Sequence, residues 1–419
     1  MEGGGFVFMK RFLIDFSVSS FFSYASAAFA FLTSILLAKI LGVSLRGEYF
    51  LYLFLPQFLF TCFYEFLPKW LSLRNKYRAP GRSLDEADYT LIWILFFSSS
   101  LFISLYSIVT VNFLTFIFII YFYFNAFLYV LISYYYRFGE VKYISLFALI
   151  HNIAFLLCFL VLYYLDIVDV YHLLLSYVFV TILVCIVSYK VSRRFFNFPA
   201  IIGIEQYPLI NKSFDLSGFK KLYRLRYKLG HFVSLNLFQA LSKRVDVFLL
   251  FGLNTVIAGK YVVSVAFISV LTIGINFFNH YLFSRGLGNK EGLLFFAPFL
   301  VTLIWAIIGL LVSNLANSFI VYIYGEDYTV SFLFFYSIFL FLGVKNHLTL
   351  LTDMLLSKGA ALPSLILNFA CVLFGFLTSF IAISIFAFSF EMVLFVVSGS
   401  YIFISMVAVF YLANKRIFS

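Results

Sequence analysis

The sequence predicts an all-α integral membrane protein of about twelve transmembrane helices in two matching six-helix halves. Three observations predict it: an apolar composition, a one-sided distribution of basic residues, and an internal repeat half a chain long. Of the 419 residues, 64% are hydrophobic and 11% are charged, with a mean hydropathy of +1.04. A spanning helix needs about 20 mostly apolar residues, so this content suffices for a dozen. Soluble domains carry about a quarter charged residues, which excludes a soluble fold and leaves too little polar surface for a large extramembrane enzyme domain. The 61 Phe and 30 Tyr suit lipid-facing helices. The net charge of +11 is read as the mark of cytoplasmic loops, not of nucleic-acid binding.

Twelve apolar stretches follow in order, with approximate edges: 12–38, 49–68, 89–110, 113–136, 143–165, 171–189, 229–252, 260–283, 292–313, 330–356, 363–385 and 391–412. Lys10-Arg11 and Ala25-Ser26-Ala27 have the layout of a signal peptide. The apolar run continues to Ala38, however, and reads as an uncleaved first helix. Its Ser19, Ser23, Ser26, Ala30 and Thr33 form a small-residue face for close helix packing. The longest and most polar connection, 190–228, lies near the middle of the chain. The expected division is an N-terminal lobe 1–195, a basic cytoplasmic linker 196–228 and a C-terminal lobe 229–419. With the N-terminus placed in the cytoplasm, 23 Lys and Arg fall in cytoplasmic segments. Only Lys39, Arg46 and Lys260 fall in loops on the opposite side. This bias fixes the orientation and places both termini inside. Gly47-Glu48-Tyr49 and Gly259-Lys260-Tyr261 stand 212 residues apart, each opening a helix after a glycine-terminated one. A shift of six helices preserves orientation, so the halves read as parallel repeats.

Ionisable residues inside apolar helices cost roughly 2.5–3.5 kcal/mol each on insertion scales, which makes them functional pointers. The seventh helix carries Asn236, Gln239, Lys243 and Asp246 at steps of 3, 4 and 3, within about an 80° arc of a regular helix. Arg244 is adjacent. This stripe reads either as the wall of a water-filled cavity that receives an anionic group, or as a local Lys243–Asp246 pair that merely permits insertion. The tenth helix carries Lys345, Thr349, Thr352 and Asp353 on one broad face, a candidate second wall. His347 falls on the opposite face, where a hydrogen-bonded packing role is expected. Glu65 stands near the end of the second helix, close to Pro68 and Lys69, as a titrating carboxylate or a local ion-pair partner. Tyr121, Asn125, Tyr129 and Tyr136 share a face of the fourth helix, read as packing or as a platform for sugar rings. Cys62, Cys158, Cys185 and Cys371 lie inside apolar runs, with neither zinc nor disulfide spacing. No Walker A motif, HExxH or Cys/His cluster is present, and an enzyme is not expected.

Leu36-Leu37-Ala38-Lys39-Ile40-Leu41-Gly42 followed by Gly47-Glu48-Tyr49 resembles the first-helix signature of the polysaccharide and O-antigen flippases. These belong to the multidrug/oligosaccharidyl-lipid/polysaccharide (MOP) exporter superfamily. Arg244-Val245-Asp246 with Gly252 and Gly259-Lys260-Tyr261, and Tyr324-Gly325-Glu326-Asp327-Tyr328, resemble further segments of that family. The resemblance implies two six-helix bundles related by pseudo-two-fold symmetry around a central cavity that opens alternately to each side. It implies a polyprenyl-diphosphate-linked repeat unit, as of O-antigen or another polysaccharide, crossing a bacterial cytoplasmic (inner) membrane. Lys39, where the family often has Arg, joins Lys243, Arg244, Asp246, Lys345, Asn236 and Gln239 as candidate substrate-binding residues. Asp246, Asp353 and Glu65 are the ion-coupling candidates, with H+ or Na+ as the ion and no other cofactor. The expected partners are the lipid-linked oligosaccharide, membrane lipids and other polysaccharide-assembly proteins. The chain is expected to be a monomer. Multidrug export within the same superfamily is the competing expectation, and a membrane-embedded polymerase or glycosyltransferase a more distant one.

Overall fold

The computed structural model describes residues 3–64, 67, most of 90–101, 113–138, 141–195, 220, 223–224, 226–251, 253–285, 297–357 and 360–414. The linker 196–228 lies almost wholly outside the described residues, as do Glu65, Pro68, Lys69 and the connection 69–88.

One helical run, Gly3–Tyr64, is broken at Gly42, where φ is 72° and ψ is 174°. That conformation belongs essentially to glycine alone. We name the parts before and after Gly42 α1 and α2. The chain continues as α3 (Thr90–Ser99), α4 (Phe113–Phe138), α5 (Val141–Tyr164) and α6 (Val170–Phe195). The seventh helix is in two pieces, α7a (Arg226–Ser242) and α7b (Val245–Leu250). Then come α8 (Thr255–Arg285), α9 (Ala297–Tyr324), a 3₁₀ turn Glu326–Tyr328, α10 (Phe332–Ser357), α11 (Ala361–Ser384) and α12 (Phe390–Asn414). No strand occurs among the described residues. Seven described stretches are long and apolar enough to cross a membrane: the α1–α2 run, α5, α6 and α9 to α12. The chain is a multi-pass membrane protein.

The sequence expected a loop between 39 and 48. Gly42 alone makes the reversal, and residues 43–48 are already helix. Arg46, counted by sequence as an outer-loop base, is consequently a buried residue of α2, 7% exposed. The physical reason is that a single residue with positive φ turns the chain without spending a longer loop.

The described chain falls into two units, residues 1–30 with 55–233 and residues 31–54 with 234–419. In the first, α6 packs on α4 and α5. The small-residue face of α1 meets α5 there. Ser19 and Ser23 hydrogen-bond Ser145 at 2.9 and 3.0 Å, and Asn152 donates to Ser26 Oγ at 2.8 Å. Small residues let the backbones approach and their hydroxyls join the helices, which apolar side chains in lipid do not do. Tyr121 of α4 is buried against Tyr177, ring centroids 5.5 Å apart. Tyr129 packs on Phe60 at 4.5 Å. The side chain of Tyr136 lies outside the described ones. In the second unit α10 is the central helix, packed on α8, α9, α11 and α12. The four cysteines are free.

Replacing Gly42 by alanine forces a side chain into a glycine-only conformation, at a cost of about 1–3 kcal/mol. Thermal unfolding in detergent is expected to show a lowered Tm for Gly42→Ala, whereas Gly230→Ala, at a helical glycine with open space around it, is expected to be neutral or stabilising.

Candidate functional site

The polar stripe expected on one regular helix is interrupted. α7a ends at Ser242, Lys243 and Arg244 form a turn, and α7b begins at Val245. Arg244 has left helical geometry, with φ −122° and ψ 9°. A break inside an apolar helix frees backbone groups that the membrane interior cannot solvate. Here they are taken up locally: the Tyr401 hydroxyl of α12 donates to Ser242 O at 3.1 Å, and Val247 N and Phe248 N donate to Arg244 O at 3.1 and 3.0 Å. The 80° arc of the regular-helix reading therefore does not persist across residues 243–244. The triplet Ser242-Lys243-Arg244, polar within an apolar stretch, was the available signal of the break.

Asp246, in the first turn of α7b, is fully buried. Its Oδ2 receives two donors. One is the Lys345 ammonium from α10, at 2.5 Å, and the other is the Tyr261 hydroxyl from α8. Its Oδ1 is buried and accepts no hydrogen bond. Asp246 thus has a partner 99 residues further along the chain. The Lys345 ammonium also lies over the Phe341 ring, 4.7 Å from its centroid, and Thr349 donates to the Lys345 carbonyl at 2.9 Å.

Lys243 and Arg244 are half-buried and lie within electrostatic range of Lys345. Arg244 sits over the Phe54 ring at 5.9 Å, and its guanidinium makes no hydrogen bond or ion pair among the described residues. Lys345 is thus paired with Asp246, whereas Arg244 has no acid partner among the described residues. Such a group is suited to bidentate contact with phosphate or carboxylate oxygens.

The remaining candidates divide. Asn236 and Gln239 are buried on α7a, and Gln239 Nε2 has no hydrogen-bond partner. Asp353 is buried, eight residues beyond Lys345. Between them Thr352 accepts a 2.9 Å hydrogen bond from Asn368 of α11, so part of that α10 face is packed against a neighbouring helix. His347 is 2% exposed, bonded to Thr302 at 3.1 Å and edge-on to Phe299 at 4.5 Å. Lys39 is exposed. Tyr261 was missed as a site residue. Its Gly-x-Tyr motif marked it only as a repeat unit, and that motif is what delivers its hydroxyl to Asp246. No group of three or more His, Cys, Asp or Glu able to hold a metal occurs among the described residues.

Removing one partner of a buried ion pair strands the other charge, at a cost of about 3–5 kcal/mol, whereas replacing both is often neutral. Lys345→Ala is therefore expected to lower the Tm strongly in detergent. The double variant Lys345→Met/Asp246→Asn is expected to recover most of the loss. Equal destabilisation by the single and double variants would show that the pair is not what holds α7b to α10.

No protein-family model and no curated protein matches the sequence. Solved structures do. The lipid II flippase MurJ in an inward closed conformation superposes with a TM-score of 0.69 at 14% identity, over 96% of this chain and 87% of that one. An inward-facing multidrug resistance MATE family transporter of the MOP superfamily gives 0.61 at 11% identity, over 94% of each chain. A MOP superfamily transporter from Pyrococcus furiosus Vc1, described as having a binding pocket of reverse polarity, gives 0.55 at 14%, over 96% of this chain and 95% of that one. At these identities the likeness is one of architecture: the chain has the twelve-helix, two-bundle fold of MOP-superfamily transporters.

Proposed function

We propose that this protein is a transporter that flips a polyprenyl-diphosphate-linked oligosaccharide, a polysaccharide repeat unit such as that of O-antigen, across the bacterial cytoplasmic membrane. The observation that carries this reading is the approach of Lys243, Arg244 and Lys345 to the buried carboxylate of Asp246. A diphosphate needs cations, and a guanidinium with no acid partner is the best-suited donor here. The fold shared with a lipid II flippase supports a lipid-linked substrate.

In this reading the lobes 1–195 and 229–419, joined by the basic linker 196–228, open alternately to the two faces, with both termini in the cytoplasm. Arg244 and Lys243 make the first contact with the diphosphate. Lys345 joins when Asp246 releases it. Asp246 Oδ1, buried without a donor, is the place where a coupling proton binds. A protonated Asp246 no longer holds the ammonium of Lys345, so proton uptake and substrate capture become linked. A Na+ ion at the same oxygen would act likewise, with Asp353 and Glu65 as further carboxylates for that role. The glycan is carried by the polar side chains around this group, and the lipid tail stays in the bilayer. Apart from proton binding and release, no step of this cycle makes or breaks a covalent bond. The protein works as a monomer beside the other polysaccharide-assembly proteins.

The shared fold with MATE transporters makes multidrug export the competing reading. A cationic drug seeks an unpaired carboxylate, and Asp246 is already held by Lys345 and Tyr261, which favours an anionic substrate.

Arg244→Ala is expected to slow flipping of a labelled lipid-linked glycan in proteoliposomes about tenfold or more, equivalent to ~1.4 kcal/mol, with an unchanged elution profile and Tm. Wild-type flipping by this variant would remove the cation group from the mechanism.

A further inference from the structure

The first unit carries a cluster of polar side chains that the cation group does not use. Gln57 of α2, Tyr121 and Asn125 of α4, His151 of α5, and Tyr177 and Thr181 of α6 belong to it. The phenols of Tyr121 and Tyr177 share side-chain hydrogen bonds with each other and with Gln57, and Tyr121 reaches Asn125 one turn further along α4. Thr181 donates to the Tyr177 carbonyl at 2.8 Å, so its oxygen is left to accept from His151 Nε2 at 3.3 Å. The Tyr177 ring lies edge-on to His151 and Phe155, with centroids 4.9 and 5.3 Å away. Four helices thus meet through one polar group.

Two features distinguish the group from a purely structural seam. The first is an unmet donor. Asn125 Nδ2 is buried and donates to nothing among the described residues, whereas the Asn152 amide of α5 donates twice to Ser26, at 3.0 and 2.8 Å. A buried donor without an acceptor is costly, so a site that keeps one calls for an acceptor from outside. The second is exposure. Gln57, Asn125, His151 and Tyr177 are half-buried. The exposed face of α6 is Leu175, Phe179, Leu183 and Ile186, and Tyr177 and Thr181 stand about 160° around the helix from Phe179. What remains open of Tyr177 therefore faces away from the lipid side.

The chemistry of the group specifies its ligand. No Asp, Glu, Lys or Arg lies within one helical turn along the chain of Gln57, Tyr121, Asn125, His151 or Tyr177, so these segments bring no fixed charge to it. A phosphate or an organic cation gains no counter-charge from them, and a lipid tail satisfies no donor. Amides and phenols combine donors with acceptors, which matches the hydroxyls and acetamido groups of a sugar. We propose that Gln57, Asn125 and Tyr177 bind one neutral sugar ring inside the first unit, with Asn125 Nδ2 donating to a hydroxyl or acetamido oxygen. A site built to pair with substrate hydroxyls discriminates strongly against the analogue that lacks them, so this site selects for the glycan while the cation group holds the diphosphate. Its use in transport rests on the flippase reading, whereas sugar binding itself does not.

The test uses the full-length protein in two arms. In nanodiscs, saturation-transfer NMR with free glucose, galactose and N-acetylglucosamine is expected to show transfer to at least one of them. Asn125→Leu and Gln57→Leu, which keep the spans apolar, are expected to abolish that transfer, and Tyr177→Phe to weaken it. In proteoliposomes, the KM for flipping a polyprenyl diphosphate that carries the responding sugar is expected to rise about tenfold in Asn125→Leu, with the KM for the sugar-free lipid unchanged. Arg244→Ala is expected to raise both. Transfer to none of the three sugars, or transfer that Asn125→Leu and Gln57→Leu leave intact, overturns the sugar site and assigns the free amide to an ordered water. Transfer that both variants abolish, in a protein that flips neither lipid, supports the site and rejects the transport reading.

Discussion

A carboxylate with no exposure to water, set in an apolar unit, has to be neutralised, and much of the second unit follows from that requirement. Asp246 is held by Lys345 and Tyr261, so α10 and α8 must both converge on α7b. The two-piece seventh helix is what places the acid there. Ser242, Lys243 and Arg244 interrupt the helix, and Tyr401 from α12 occupies the carbonyl that the interruption frees. Two spans are thereby tied to the six-residue α7b and a third to the end of α7a just before it. The same arrangement fixes the chemistry on offer. With Asp246 engaged by Lys345 and Tyr261, Arg244 is the member with no counter-ion among the described residues.

The Gly-x-Tyr repeat links the site to the architecture. In each copy the glycine lies where α2 crosses α8, with no room for a side chain, and the tyrosine follows two residues later, about 200° around a helix and so on another face. In the second copy Tyr261 reaches Asp246, while in the first Tyr49 lies beside Arg46. Equivalent positions thus serve a buried acid in one copy and a buried base in the other. One crossing therefore connects the Gly42 reversal with the cation group.

The helix plan was legible because membrane insertion imposes it directly: apolar length sets the spans. The buried charges stood out for the same reason, since lipid makes each one expensive. The partners of those charges were not legible. Helical spacing offered Lys243 as the neighbour of Asp246, and only the approach of α10, nearly a hundred residues away, adds Lys345 as a partner. The break at Lys243 and Arg244 was marked only by the polar triplet Ser242-Lys243-Arg244, within an otherwise apolar stretch. The burial of Arg46 was hidden because one glycine with positive φ does the work expected of a ten-residue loop. The grouping of residues 31–54 with the second unit depends on contacts 211 residues apart along the chain, such as Ser44 with Thr255, which no local pattern encodes.

The central claim is that the cation group receives the diphosphate of a lipid-linked glycan during flipping. The most direct measurement is the transfer of a fluorescent polyprenyl-diphosphate oligosaccharide between leaflets of proteoliposomes holding the purified protein, read by loss of accessibility to an external quencher. The account predicts transfer well above that of protein-free vesicles, accelerated by an imposed ion gradient and inhibited by an excess of the unlabelled diphosphate lipid but not by the same lipid lacking its phosphates. Transfer no faster than in empty vesicles, or equal inhibition by the phosphate-free lipid, would contradict it.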